Sequence, residues 1–284
     1  MDQARMERLK QQYGLSYHIN FVAMAEQLVG MADKRVLEVG GSLPSGLVLD
    51  ELGVNQWVAL EEPDYWDETL STGLVLGTPP ELKGQRKFFK DATPQDLGRH
   101  NLLYGRIENL PDALHGHFDM VFSIAAFEHI HKLPQALDKM FSALRPGGRL
   151  FSMFSPVWSA HDGHHLPEIM DKDGRSHNFG NSPIPPWGHL LMRPTELYDH
   201  LLKATGDRRF AQEVVYYVYN SNHINRFFLE DFVEMIGRSP FKPVQVSPMF
   251  PMNVPAEIQS RLEAMYPGRK NFSHNGLLVV LERP

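Results

Sequence analysis

Residues 118–156 read FDMVFSIAAFEHIHKLPQALDKMFSALRPGGRLFSMFSP. The opening run 118–123 is compact and apolar, the pattern of a strand buried on both faces. From Leu133 onward the apolar residues change period. Leu133, Ala136, Leu137, Met140, Phe141 and Leu144 recur at helical spacing on one face. Arg145-Pro146-Gly147-Gly148 then stops the helix and turns the chain, and 149–154 (RLFSMF) reads as the next strand. Strand, helix, strand in this order makes a βαβ unit, and with it a parallel sheet.

The same rhythm extends toward the N-terminus. The segment VLEVGGSLPSG at 36–46 is the end of a strand spanning 35–39, a Gly-rich turn, and the start of a helix at 47–52. QWVAL at 56–60 is a further strand, closed by Glu61, Glu62 and Pro63. Before these, 3–13 reads as a short polar helix and 19–31 as an amphipathic one. Toward the C-terminus, 156–195 is rich in Pro, His, Gly and Trp and poor in periodicity, as expected of an insertion over a ligand cleft. Helices are expected at 194–204 and 229–236. Strands are expected at 214–219, 244–247 and 277–282, the last closing the sheet as an antiparallel, hairpin-like edge. Open parallel sheets bind ligands beyond the carboxyl ends of their strands. That directs attention to 38–46, 61–64, 105–109, 123–131 and 155–165.

Composition excludes several classes. With 42% apolar and 22% charged residues, the chain of 284 is an ordinary globular one. Its 28 Lys and Arg against 34 Asp and Glu leave a net charge of −6, a poor surface for a phosphate backbone, so no nucleic-acid partner is expected. The absence of cysteine excludes disulfides, a thiolate nucleophile, iron–sulfur ligation and Cys-type zinc sites. The first twenty residues hold no apolar core of a secretory leader. No run approaches the ~18 apolar residues of a membrane span. The expectation is a cytoplasmic protein without a membrane partner, of open oligomeric state. Fourteen residues are His, and nine of them (115, 117, 129, 131, 161, 164, 165, 177 and 189) crowd into one third of the chain.

The 118–156 segment resembles the class I S-adenosylmethionine-dependent methyltransferases, and within them the group that modifies small molecules. The resemblance rests on the FDxV strand (Phe118, Asp119, Val121), the pair Glu128-His129, and Leu144-Arg145-Pro146-Gly147-Gly148 before the next strand. It extends over about residues 30–156, with a fainter echo at Asn225-Arg226. It implies an α/β fold with a Rossmann-like, seven-stranded, mainly parallel sheet. Helices would cover both faces, with N-terminal helices and a lid inserted after strand five. One methyltransferase domain would span 1–284, divided into helices (1–34), cofactor-binding core (35–155), lid and substrate insertion (156–210) and C-terminal strands and helix (211–284).

The resemblance also implies S-adenosylmethionine as cofactor, with S-adenosylhomocysteine as product. Glu38 and Gly40 match the acidic residue and first glycine of the family's E/DxGxGxG loop at the amino-acid end of the cofactor. Ser42 and Pro44 stand where further glycines are usual, leaving Gly41 and Gly46 to supply the turn. Glu61 matches the acidic residue that takes the ribose hydroxyls, since a carboxylate accepts two hydrogen bonds from a cis-diol; Glu62 serves if the register slips by one. Gly105–Pro111 matches the stretch flanking the adenine, with Arg106 in place of the usual Asp and Ile107 contributing backbone. Ser123 and Ile124 match residues lining the cofactor and the substrate entrance.

The chemistry is expected from His161, His164 and His165 in SPVWSAHDGHH, with His129. Imidazole titrates near neutrality and suits a general base. Three readings of this cluster stand side by side: a base near the acceptor, a metal site, and lid structure. The HDGHH spacing matches no metalloprotein signature, so a metal is not favoured. The implied function is methyl transfer to a small-molecule substrate, with oxygen as acceptor atom and His as base. A protein or peptide methyltransferase, and a non-catalytic S-adenosylmethionine-binding protein on the same fold, are the alternatives.

Overall fold

Alternation along the strands builds two cores, one on each side of a single sheet. The computed structural model describes residues 1–41, 43–62 and 87–284. Its main sheet has β1 (Arg35–Val39), β2 (Gln56–Glu61), β3 (Lys87–Phe88), β4 (His100–Tyr104), β5 (Phe118–Ile124), β6 (Leu144–Phe154), β9 (Lys242–Pro251) and β10 (His274–Glu282). The order is β3-β4-β2-β1-β5-β6-β10-β9. The first six run parallel, and β10 lies antiparallel between β6 and β9. The Rossmann-like, mainly parallel sheet with an antiparallel edge is as the sequence implies. Among the described residues the count is eight rather than seven: β3 and β4, which no apolar run announces, join the sheet, and the strand expected at 214–219 does not.

Along β1, Leu37 and Val39 face one side and Val36 the other; along β5, Val121 opposes Met120, Phe122 and Ile124. The Leu37 side is covered by α3 (Leu133–Ala143) and α6 (Leu229–Arg238). The Val36 side is covered by α1 (Gln3–Tyr13), α2 (Tyr17–Leu28) and the π-helical turn Gly46–Glu51. Period-two burial of this kind fixes the register, since a one-residue slip would exchange the two faces. Asp119 of the FDxV strand has a structural part: it accepts from the Arg35 amide at 2.7 Å and pairs with Arg145 at 2.5 Å.

The insertion after β6 has a core of its own. Trp158, Leu166, Ile169, Ile184, Trp187 and Leu190 are buried against α4 (Pro194–Thr205), α5 (Arg208–Tyr219) and α7 (Ala256–Met265). It also carries a small antiparallel hairpin of β7 (Ile169–Met170) and β8 (Ser176–His177). Among the described residues no helix is long and apolar enough to cross a membrane.

The strand expected at 214–219 is the second half of α5. The run VVYYVY is β-branched and aromatic, the composition that favours strands. Its burial, however, has helical period. Phe210, Ala211, Val214, Tyr217 and Val218 are buried, while Tyr216 between them is exposed. Packing against the insertion overrides the local preference. Asp207 caps this helix by accepting from the Phe210 amide at 3.0 Å, and the same carboxylate accepts from the Lys172 amide in the insertion at 2.7 Å. Asp207→Ala is expected to cost about 1–2 kcal/mol, read as a lower urea midpoint with an unchanged m-value; an unchanged midpoint would deny the cap this role.

Candidate active site

At the carboxyl edge of the sheet, the turn after β1 is organised by a buried carboxylate. Glu38 is 2% exposed. Its Oε2 accepts from the Leu43 amide at 2.9 Å and from the Trp57 indole at 2.6 Å. Burial pushes its carboxyl up to about 7, against the pull of those two donors. Glu38 thereby folds the turn back onto the sheet. Gly40 is where the turn needs a glycine: φ is +89°, and a Cβ there would lie 2.3 Å from the Cβ of Ala126, beyond β5. The Gly40 amide donates to the Leu60 carbonyl at 3.0 Å. Gly41 lies over Glu38, with a Cβ position 3.2 Å from Oε1. Ser42 lies outside the described residues.

Glu61, at the end of β2, is buried, and its carbonyl accepts from the Gly105 amide at 2.9 Å. Glu62, the next residue, pairs with Arg106 at 2.6 Å. Arg106 is thus neutralised locally. Ile107 opens a 3-10 turn and is buried. Ser123 donates its hydroxyl to the Val39 carbonyl at 2.9 Å, tying β5 to β1, and Ile124 is buried beside it. The Gly40 turn and the buried carboxylate of Glu61 thus stand on neighbouring strands at the carboxyl edge of the sheet.

The four candidate histidines do not act as one cluster. His129 and His165 stand edge to face, ring centres 4.9 Å apart, and the ring of His223 completes a triangle at 5.2 and 5.6 Å. His129 donates from Nδ1 to the His223 carbonyl at 2.5 Å. His164 belongs instead to the insertion. Its Nδ1 accepts from the Leu166 amide at 3.2 Å, and its ring meets His189 at 5.6 Å. His189 in turn is bound to the Trp158 carbonyl at 2.8 Å. His161 stands apart from both groups, with Nδ1 3.1 Å from Asp162 Oδ1 and a side chain 36% exposed. Asp162 also accepts from the Asn275 amide group at 3.0 Å.

Burial decides the protonation of the enclosed groups. It holds His129 and His189 down at about 4 and His223 at about 3. Burial and neighbouring imidazoles hold His164 and His165 well below the ordinary histidine range. Glu128, 2% exposed, is pushed up to about 8 by burial.

Sequence reasoning missed His223 and did not see what Asn225 does. The Asn225 side chain donates to the carbonyls of Phe127 at 2.7 Å and Ile130 at 3.1 Å, and its amide donates to the Glu128 carbonyl at 2.8 Å. His131 meets the Asn222 carbonyl at 2.8 Å. Segment 222–225 therefore latches the Glu128-His129 loop. The only signal was the faint Asn225-Arg226 echo, because the contact spans nearly a hundred residues of chain.

The Glu38 carboxyl titrates near 4.5 when unfolded and about 7 when folded. A proton held more tightly by the fold contributes stability that is complete below 4.5 and lost as pH rises through 7. Glu38→Gln is expected to flatten the fall of Tm between pH 5 and pH 8, and Glu38→Ala, which strands the Trp57 indole, to cost ~1–3 kcal/mol at any pH. Thermal melts across that range check both, and an unchanged slope in Glu38→Gln would contradict the account.

A family model described as a methyltransferase domain matches residues 79–152. No curated protein matches the chain. Among solved structures, an S-adenosylmethionine-dependent methyltransferase from Mesorhizobium loti is 15% identical, covering 92% of this chain and 96% of that one at a TM-score of 0.45. A phosphoethanolamine N-methyltransferase 2 from Haemonchus contortus, solved with phosphomonomethylethanolamine and S-adenosylhomocysteine, is 14% identical, covering 93% of this chain and 52% of that one at a TM-score of 0.47. The matched segment holds the FDxV, Glu128-His129 and Pro146-Gly147-Gly148 residues and reaches well into β6 of the Rossmann-like sheet, so over this stretch the chain is similar to a methyltransferase domain.

Proposed function

We propose that the protein transfers the methyl group of S-adenosylmethionine to a small-molecule acceptor, at an oxygen atom, with an imidazole taking the acceptor's proton. The turn at Glu38, Gly40 and Gly41 would receive the amino-acid end of the cofactor. Glu61 would take the ribose hydroxyls, and the backbone at Ile107 would flank the adenine. Ser123 and Ile124 would line the crevice between them. When bound, the cofactor supplies an electrophilic methyl carbon on a sulfonium. The acceptor oxygen forms its new bond to that carbon while the carbon–sulfur bond breaks, with both electrons going to sulfur. The hydroxyl proton goes to the base. Orientation of the acceptor in line with the methyl group provides most of the rate.

Of the four histidines, His161 fits the base best. The observation that carries this choice is the His161–Asp162–Asn275 chain beyond β6, at the same sheet edge as Glu38 and Glu61. Asp162 Oδ1 lies 3.1 Å from Nδ1, without the geometry of a hydrogen bond, and sets a carboxylate beside the ring that would take the proton. Asp162 is itself held up by burial and drawn down by His161. His129, His164 and His165 are poorer bases, because burial disfavours their protonated forms so strongly.

Calorimetry with S-adenosylhomocysteine is expected to show one site per chain, with Glu61→Ala weakening it by ~1–3 kcal/mol, the scale for losing hydrogen bonds to a charged group. Turnover on a panel of hydroxylated small molecules is expected to fall ~10²–10⁴-fold in His161→Ala, with cofactor affinity unchanged. Full activity in that variant would exclude His161 as the base. Cofactor binding without turnover on any acceptor would point to a binding protein instead.

A further inference from the structure

We infer that Glu128, His129 and His165 form a site for a divalent transition-metal ion, supported from outside by His223. One ligand atom from each of the three residues lies within 4.8 Å of the others. They come from two separate stretches of chain, the loop after β5 and the insertion after β6, and so form no motif that spacing could reveal.

Three further features point to a ligand. The Glu128 side chain is 2% exposed, and neither carboxylate oxygen has a partner in hydrogen-bond geometry, although the backbone of Glu128 and Ser155 lies near enough to draw its carboxyl down a little. Nδ1 of His165 is buried and equally without a partner. Buried polar groups in folded proteins are nearly always satisfied, so two such residues in one cluster need an explanation. An ion bound by both satisfies both at once. His165 is also held at φ +45°, in the left-handed region that non-glycine residues rarely adopt. Such strain persists where the surrounding structure imposes it, and it gathers at functional sites.

The tautomer of His129 agrees. Its Nδ1 donates to the His223 carbonyl, which leaves the lone pair on Nε2. A ring nitrogen donating to a backbone carbonyl while the other faces the metal is the usual support of a histidine ligand. The Asn225 latch on Phe127, Glu128 and Ile130 holds the loop that carries both residues.

The donor set selects the ion. Two imidazoles and one carboxylate suit zinc or a neighbouring first-row divalent ion, whereas magnesium and calcium prefer oxygen ligands throughout. Tetrahedral zinc with ligand bonds of ~2.1 Å sets its ligand atoms ~3.4 Å apart. Binding therefore draws the three groups together by roughly an ångström from their present spread. This inference is independent of the proposed methyl transfer, because cation binding is read without cofactor or acceptor.

The test uses the full chain, stripped with a chelator and titrated with Zn²⁺ by calorimetry in excess Mg²⁺, with bound zinc counted by mass spectrometry. One zinc ion per chain is expected. Glu128→Gln and His165→Asn are each expected to weaken binding by at least about 10–100-fold, while His115→Ala, a surface histidine outside the cluster, leaves it unchanged. X-ray absorption of the zinc-loaded unmodified protein gives a reading that does not depend on any variant folding, and a shell of two imidazoles and one carboxylate is expected. No saturable zinc binding by the unmodified protein, unchanged affinity in both folded variants, or a zinc shell without imidazole would each overturn the assignment.

Discussion

The contact between the turn after β1 and the loop after β5 is the constraint on which the site depends. Gly40 meets Ala126 so closely that no side chain fits between them. Ser123, one strand over, donates to the carbonyl of Val39. These two contacts stand at the point where the strand order reverses: from β1 the chain proceeds outward through β2 on one side, and through β5 and β6 on the other. In open α/β sheets the loops leaving adjacent strands in opposite directions at such a point are where ligands are received. The buried carboxylate of Glu38 sets the course of the first loop, and the Asn225 latch sets that of the second. Neither loop holds its shape alone.

The electrostatics of this edge follow from burial. Desolvation favours the neutral forms of Glu38, Glu128, His129 and His165, raising the two carboxyls and lowering the two imidazoles. Near neutral pH the interior therefore carries little net charge and presents lone pairs rather than ammonium-like donors. His161, beside Asp162, is more exposed than these enclosed histidines.

Much of the frame was legible because its signals are local. The FDMVFS strand and the helix beginning at Leu133 each declare themselves within a few residues, and their order implies the parallel sheet; Pro146-Gly147-Gly148, expected as a turn before the strand, instead lies inside β6 as an irregularity in its pairing with β5. Residues 214–219 misled because β-branched and aromatic composition favours a strand, and only contact with the insertion reveals the helical face of Val214, Tyr217 and Val218. The edge strand Lys87–Phe88 escaped because two residues carry no period. The histidines were legible as a crowd but not as a site. His164 and His165 are neighbours in sequence, yet one turns toward Leu166 and His189 and the other toward His129 and His223. Only the folded chain brings His223 to the group.

Amide hydrogen exchange with and without S-adenosylhomocysteine tests the central claim, that the crevice between β1 and β5 holds the ligand. Added protection is expected at 38–41, at Glu61 and Glu62, at 105–107 and at 123–129. Protection confined to segments away from the carboxyl edge of β1, β2, β4 and β5, with none at Gly40 or Ala126, would contradict it.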